Sequence, residues 1–115
     1  MLMERDWGHW QILAEKSPKI KIKELVIHPG GALSFQKHHK RNEHWFVLKG
    51  KFTLYLQDDL GRSERTYDEY DSVRIPMETW HQACNPFDED CSILEVQYGE
   101  ICEESDIERR NRNFL

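Results

Sequence analysis

Residues 29–50 read PGGALSFQKHHKRNEHWFVLKG, and residues 75–85 read IPMETWHQACN. The first stretch carries the spacing Gly30-x5-Gln36-x-His38-x4-Glu43-x6-Gly50, and the second carries Pro76-x4-His81-x3-Asn85. Residues two apart on a strand share a face, so Gln36 and His38 point to one interior while Lys37 points away. Glu43 opens the strand predicted over His44–Leu48, in phase with Trp45 and Val47, and His44 faces the other way. His81 must come from a distant strand that neighbours the first pair in a closed barrel. Gln36, His38, Glu43 and His81 then form one set of oxygen and nitrogen donors. Neutral imidazoles with a carboxylate suit a small divalent metal and leave positions open for a substrate.

Outward from these stretches, β-branched and aromatic residues favour strands. The expected strands are Trp10–Leu13, Ile20–His28, Ala32–Gln36, His44–Leu48, Phe52–Gln57, Ser72–Ile75, Trp80–Cys84 and Ser92–Tyr98. Turn signals separate them at Pro29-Gly30-Gly31, Gly50-Lys51, Asp58-Asp59-Leu60-Gly61 and Asn85-Pro86. Many short strands at close spacing indicate an all-β sandwich or barrel. Only 103–112, with mixed charges and few apolar groups, predicts a short C-terminal helix or an irregular tail.

At 115 residues the chain predicts one domain, 1–115, with a single core. A formal net charge of -5 argues against nonspecific nucleic-acid binding. No apolar run approaches membrane-spanning length, and the start lacks the apolar core of a signal peptide, so a cytoplasmic protein without membrane attachment is expected. Cys84, Cys91 and Cys102 are odd in number and fit no zinc-ribbon spacing, which suits free thiols in a reducing compartment. Cys84 and Cys91 flank a turn-like NPFDED segment and could face each other on paired strands.

Both opening stretches resemble the two signature motifs of the cupin superfamily, which implies a small β-barrel of jelly-roll type. The common cupin motif has His where this chain has Gln36, and Gln-x-His with a later Glu and His resembles the metal set of phosphomannose isomerases. The opening Arg5-Asp6-Trp7-Gly8-His9-Trp10 resembles the start of the type II mannose-6-phosphate isomerase domain. Lys21-Ile22-Lys23 before Val26-Ile27-His28-Pro29-Gly30, and Arg41-Asn42-Glu43-His44-Trp45, are similar to the same family. Glu95-Val96-Gln97, Gly99 and Asp106-Ile107 extend the likeness over nearly the whole chain. In that family the domain usually follows a nucleotidyltransferase domain; this sequence has no Gly-rich nucleotide loop. It departs from the pattern at Lys40, in place of a third His, at Glu78, where the second motif usually has Gly, and in the tail from Arg109 to Arg112.

The resemblance implies interconversion of mannose 6-phosphate and fructose 6-phosphate through an enediol-like intermediate. One divalent metal is implied: mixed ligation suits zinc, and manganese, iron, cobalt or nickel also fit. The proton shuttle has two candidates, Glu95 on an inward strand face and His39 in the loop. For a phosphorylated sugar, Lys21 and Lys23 share parity with Leu25 and Ile27, which predicts lysines at the mouth and apolar groups deeper. Arg5 and Arg109 are further anion-binding candidates, and Trp80 is expected to border the pocket. Alternatives are a noncatalytic cupin that binds a sugar or small anion, and an iron-dependent cupin dioxygenase, because a fold does not fix chemistry. A homodimer is expected, since pairing would cover exposed sheet edges or apolar faces.

Overall fold

The computed structural model describes residues 1–110. Their strands, in chain order, are β1 (Met3–Arg5), β2 (Gly8–Ser17), β3 (Ile20–Ile27), β4 (Phe35–Lys37), β5 (Arg41–Lys49), β6 (Phe52–Asp58), β7 (Gly61–Tyr67), β8 (Ser72–Ile75), β9 (Trp80–Cys84), β10 (Cys91–Gly99) and β11 (Glu108–Arg110). Two antiparallel sheets face each other, with orders β1-β2-β3-β10-β5-β8 and β11-β4-β9-β6-β7. Two facing antiparallel sheets make this the all-β barrel type expected from the sequence.

The interior is divided lengthwise by the register of the three central strands. Ile27 pairs with Cys91 and Leu25 with Ile93, while Lys23 pairs with Glu95 and Lys21 with Gln97. On the other side of β10, Ile93 pairs with Val47, Glu95 with Trp45 and Gln97 with Glu43. All of these side chains are buried. One half of the barrel is therefore an apolar core, completed from the second sheet by Phe52, Leu54 and Ala83. The other half is buried but polar, which is costly unless its groups find partners. The apolar half supplies the burial that stabilises the fold, at about 25 cal/mol per Å².

Two turns hold this arrangement. Gly50 links β5 to β6 at φ 74°, and a Cβ there would lie 2.4 Å from the Asp90 carbonyl oxygen, so a side chain is excluded twice over. The fully buried Asn85 donates its amide to the carbonyls of Ile27 and Glu89, each at 2.8 Å, and accepts from the Phe87 amide at 3.0 Å. It ties the exit of β9 to the end of β3.

Three expectations are corrected. No helix forms among the described residues; 103–107 is a turn-rich strap and Glu108–Arg110 adds a strand to β4, while 111 and 112 lie outside the described residues. Cys84 and Cys91 are not on paired strands, because β9 and β10 belong to different sheets. All three cysteines are free and buried, and burial pushes the thiols up, Cys84 to about 11 and Cys91 to about 12. Finally β1, β7 and β11 were not anticipated. In β7 only Tyr67 is buried, so this edge strand carries little hydrophobic signal.

Candidate metal centre

His38, Glu43 and His81 converge at the polar end of the barrel, each offering a ligand atom within 4.8 Å of the others. His38 follows β4, Glu43 is the third residue of β5, and His81 lies on β9 as the cross-strand partner of Gln36. His38 Nε2 is 3.3 Å from Glu43 Oε2, and His81 Nε2 is 3.7 Å from Glu43 Oε1.

Both imidazoles have a defined orientation. His38 Nδ1 lies 2.6 Å from the Asp106 carbonyl oxygen, and His81 Nδ1 lies 3.1 Å from that of Thr79. A carbonyl only accepts, so each Nδ1 carries the proton and each Nε2 turns its lone pair toward Glu43. Burial, then the Arg41 charge, lowers the His38 pKa to about 4; burial alone dominates the same fall in His81. Both rings are thus neutral, as metal ligands must be. Glu43 Oε1 and His81 Nε2 are buried with no hydrogen-bond partner. Such orphaned atoms are expensive within a protein and are the natural complement of a cation. The donor set fits a divalent metal.

A cavity of about 120 Å³ opens beside these ligands. Gln36, Glu43 and Glu95 line it, together with Arg5, Lys23 and Arg109. Glu95 is buried on β10, accepts from Gln97 Nε2 at 2.7 Å, and has its pKa pushed up to about 7 by desolvation and then by Glu43. Lys23 is ion-paired with Glu104 and sits 4.0 Å above the Trp10 ring; Arg5 approaches the same ring at 5.9 Å. Trp7 also lines the cavity.

Other expected residues lie elsewhere. Lys21 is buried on the same face as Lys23, but it pairs with Glu15 at 3.3 Å and borders a neighbouring groove beside Cys102. His39 is exposed, and its ring bridges Glu78 at 2.9 Å and Glu108 at 3.1 Å outside the cavity. Those two hydrogen bonds raise its pKa. Trp80 faces away from the site because His81, its neighbour on β9, faces in. Its ring packs on Phe35 at 5.3 Å under Arg110 at 4.0 Å. Trp7 and Trp10 occupy the place expected of Trp80.

Sequence reasoning missed two residues at the centre. Arg41, two before Glu43 and so on the same face, donates from Nη2 to Glu43 Oε2 at 2.9 Å and to His38 Nε2 at 3.2 Å. Its parity with Glu43 was the available signal. Asp106 accepts from the amides of His39 and Lys40 at 3.0 and 2.9 Å, pinning the ligand loop to the strap. The family likeness includes Asp106-Ile107, but nothing in it points to a role as acceptor for two distant amides.

A family described as "Mannose-6-phosphate isomerase C-terminal" matches residues 2–112. The alginate biosynthesis protein AlgA of Pseudomonas aeruginosa is 34% identical over 107 residues, covering 91% of this chain and 21% of AlgA. A mannose-1-phosphate guanylyltransferase of Escherichia coli is 30% identical over 105 residues, with 91% and 21% covered. The chain thus spans about a fifth of the length of these relatives. The capsular polysaccharide assembling protein CapF of Staphylococcus aureus superposes with a TM-score of 0.83 at 18% identity, covering 95% of this chain and 33% of CapF, a likeness of fold. By fold and by a family match over nearly its whole length, the chain belongs to the mannose-6-phosphate isomerase C-terminal family of cupin domains.

Proposed function

We propose that this domain is a metal-dependent sugar-phosphate isomerase that interconverts mannose 6-phosphate and fructose 6-phosphate. The observation that carries the reading is convergence: Glu43 of the His38–Glu43–His81 donor set, the buried Glu95 and four cations, Arg5, Lys23, Arg41 and Arg109, all line one cavity. Gln36, His38, Glu43 and His81 would hold the metal, with zinc suited to the mixed donors and other first-row divalent ions compatible. When bound, the metal supplies Lewis-acid polarisation of the sugar carbonyl.

The chain's own residues do the rest. Lys23, Arg5 and Arg109 bind the phosphate, and the indoles of Trp7 and Trp10 give the sugar an apolar wall. The Glu95 carboxylate removes the proton from C2 of the aldose and returns it to C1, passing through an enediol. The hydroxyl proton moves from O2 to O1, and the ketose results with no net gain or loss of atoms. A pKa of about 7 suits a group that must both take and return a proton near neutrality. His39, held by two carboxylates outside the cavity, has no part in this scheme.

The test is formation of fructose 6-phosphate from mannose 6-phosphate by the purified chain, with and without a chelator. Turnover that the chelator abolishes and added metal restores is the expected result. Metal and sugar-phosphate binding without turnover would make the domain a binding module instead.

A further inference from the structure

The placement of Arg41 carries a consequence for how the site is loaded. Arg41 is 5% exposed at the start of β5. Its Nε and Nη2 reach Glu43 Oε2 at 3.1 and 2.9 Å, and Nη2 also lies 3.2 Å from the His38 Nε2 lone pair. One planar guanidinium therefore occupies the metal-facing atoms of two ligands, while Glu43 Oε1 and His81 Nε2 keep no partner. A metal held by His38 Nε2 would need the lone pair that Nη2 is using. Two cations cannot share those atoms, and a dication would also repel the guanidinium.

The displaced group has somewhere to go. Arg41 Nη1 already donates to the Glu103 carbonyl oxygen at 3.3 Å, and the residue lines the cavity with Lys23, Arg5 and Arg109. A small retreat from Glu43 leaves a fork of N–H donors available on the cationic side, where it suits a tetrahedral oxyanion. We infer that Arg41 closes the ligand set in the metal-free protein and is released by metal entry to bind an oxyanion in the cavity. Metal and anion then reinforce each other's binding through this one side chain. The inference rests on the metal reading of the centre proposed above and does not depend on turnover.

The probes are cobalt(II) and inorganic sulfate, titrated by calorimetry into the 115-residue chain after dialysis to remove metal. Saturating cobalt is expected to tighten sulfate binding about tenfold, or about 1.4 kcal/mol. By linkage, saturating sulfate tightens cobalt binding by the same factor. In Arg41→Gln the factor falls to about one, because the side chain that links the two sites is gone, and cobalt alone binds at least as tightly as to the unaltered chain. If circular dichroism shows that variant unfolded, Arg41→Lys is read by the same criterion, because a single ammonium lacks the fork that spans two partners.

Undiminished coupling in a folded Arg41 variant would overturn the inference, since the anion would then meet the metal directly. Weakened cobalt binding in Arg41→Gln would overturn it too, by making Arg41 a brace for the ligands. Cobalt binding to the unaltered chain with no change in sulfate affinity would sink the inference and leave the metal reading standing. No cobalt binding at all would sink both.

Discussion

Replacing Glu95 by Gln isolates the one buried carboxyl that faces the ligands without being one of them. Desolvation and the nearby Glu43 push its pKa from the ordinary 4.5 up to about 7. For an acid, a raised pKa means that the fold favours the neutral form. The contribution of Glu95 to stability is therefore whole below pH 4.5 and is lost as pH rises through about 7. At about 1.4 kcal/mol per pH decade, that loss is about 3 kcal/mol. The amide of Glu95→Gln keeps the shape, still accepts from Gln97 and cannot ionise. Urea unfolding of the metal-free protein, parent against variant, reads the difference directly. The variant should gain about 3 kcal/mol on the parent between about pH 4.5 and about pH 8. The same substitution should lower isomerase turnover by about 10²–10⁴-fold, the usual share of a general acid–base. A stability difference that stays flat with pH would refute the reasoning, because Glu95 would then titrate as a solvated carboxyl does.

Three other perturbations read other parts of the molecule. Glu78 sits at φ 65°, in the left-handed region where an L side chain costs about 1–2 kcal/mol, and its ion pair with exposed His39 offsets little of that. Glu78→Gly should raise the Tm by about 4 °C for each kcal/mol regained; a lower Tm would mean that the His39 contact outweighs the strain. His38 and His81, with pKa values lowered to about 4, stay neutral until the pH falls through that value. In Glu95→Gln, which removes the carboxyl that titrates at about 7, cobalt affinity should then change less than about threefold between about pH 7 and about pH 5, and a steady tenfold loss per pH unit would contradict it. Asp106→Ala removes the acceptor of two backbone amides, so unfolding should cost about 1–3 kcal/mol less and cobalt binding should weaken about tenfold through the loosened His38 loop. Unchanged values in both measurements would deny the strap its role.

The fold was legible wherever one strand face is buried. β8 and β9 have the bounds read from sequence, and β3, β5, β6 and β10 differ only in how far their ends extend. The strands that escaped notice are those whose pairing is not driven by burial. β7 runs along a sheet edge with polar side chains, and the three residues of β11 are held by backbone pairing to β4. Of the helix or irregular tail expected over 103–112, 103–107 takes the irregular form, for a related reason. Asp106 is needed in the interior as a hydrogen-bond acceptor for the His39 and Lys40 amides, and the segment threads across the site to deliver it. Mixed charge along 103–112 left a solvated helix and an irregular tail both open, because that partner lies far away in sequence.

Within the site, spacing by two gave the face of a side chain but not its depth, for Lys21, in phase with Lys23, borders a neighbouring groove. Lys23 lines the cavity because it is two residues from Leu25, and Arg41 does so because it is two from Glu43. His39, expected to act from the loop, and Trp80, expected to border the pocket, lie outside the cavity; on β9 alternation alone turns Trp80 away from His81. What parity cannot tell is how far along the barrel the chemistry changes, since β3, β5 and β10 each carry one inward face that is apolar at one end and polar at the other. That division also explains how the site is tolerated. Buried atoms without partners, such as Glu43 Oε1 and His81 Nε2, each cost about 1–3 kcal/mol. A fold can carry that load when the same strands, a few residues further on, build a continuous apolar core. The conflict between local chemistry and burial is concentrated at one end of the barrel, which is where a cation would resolve it.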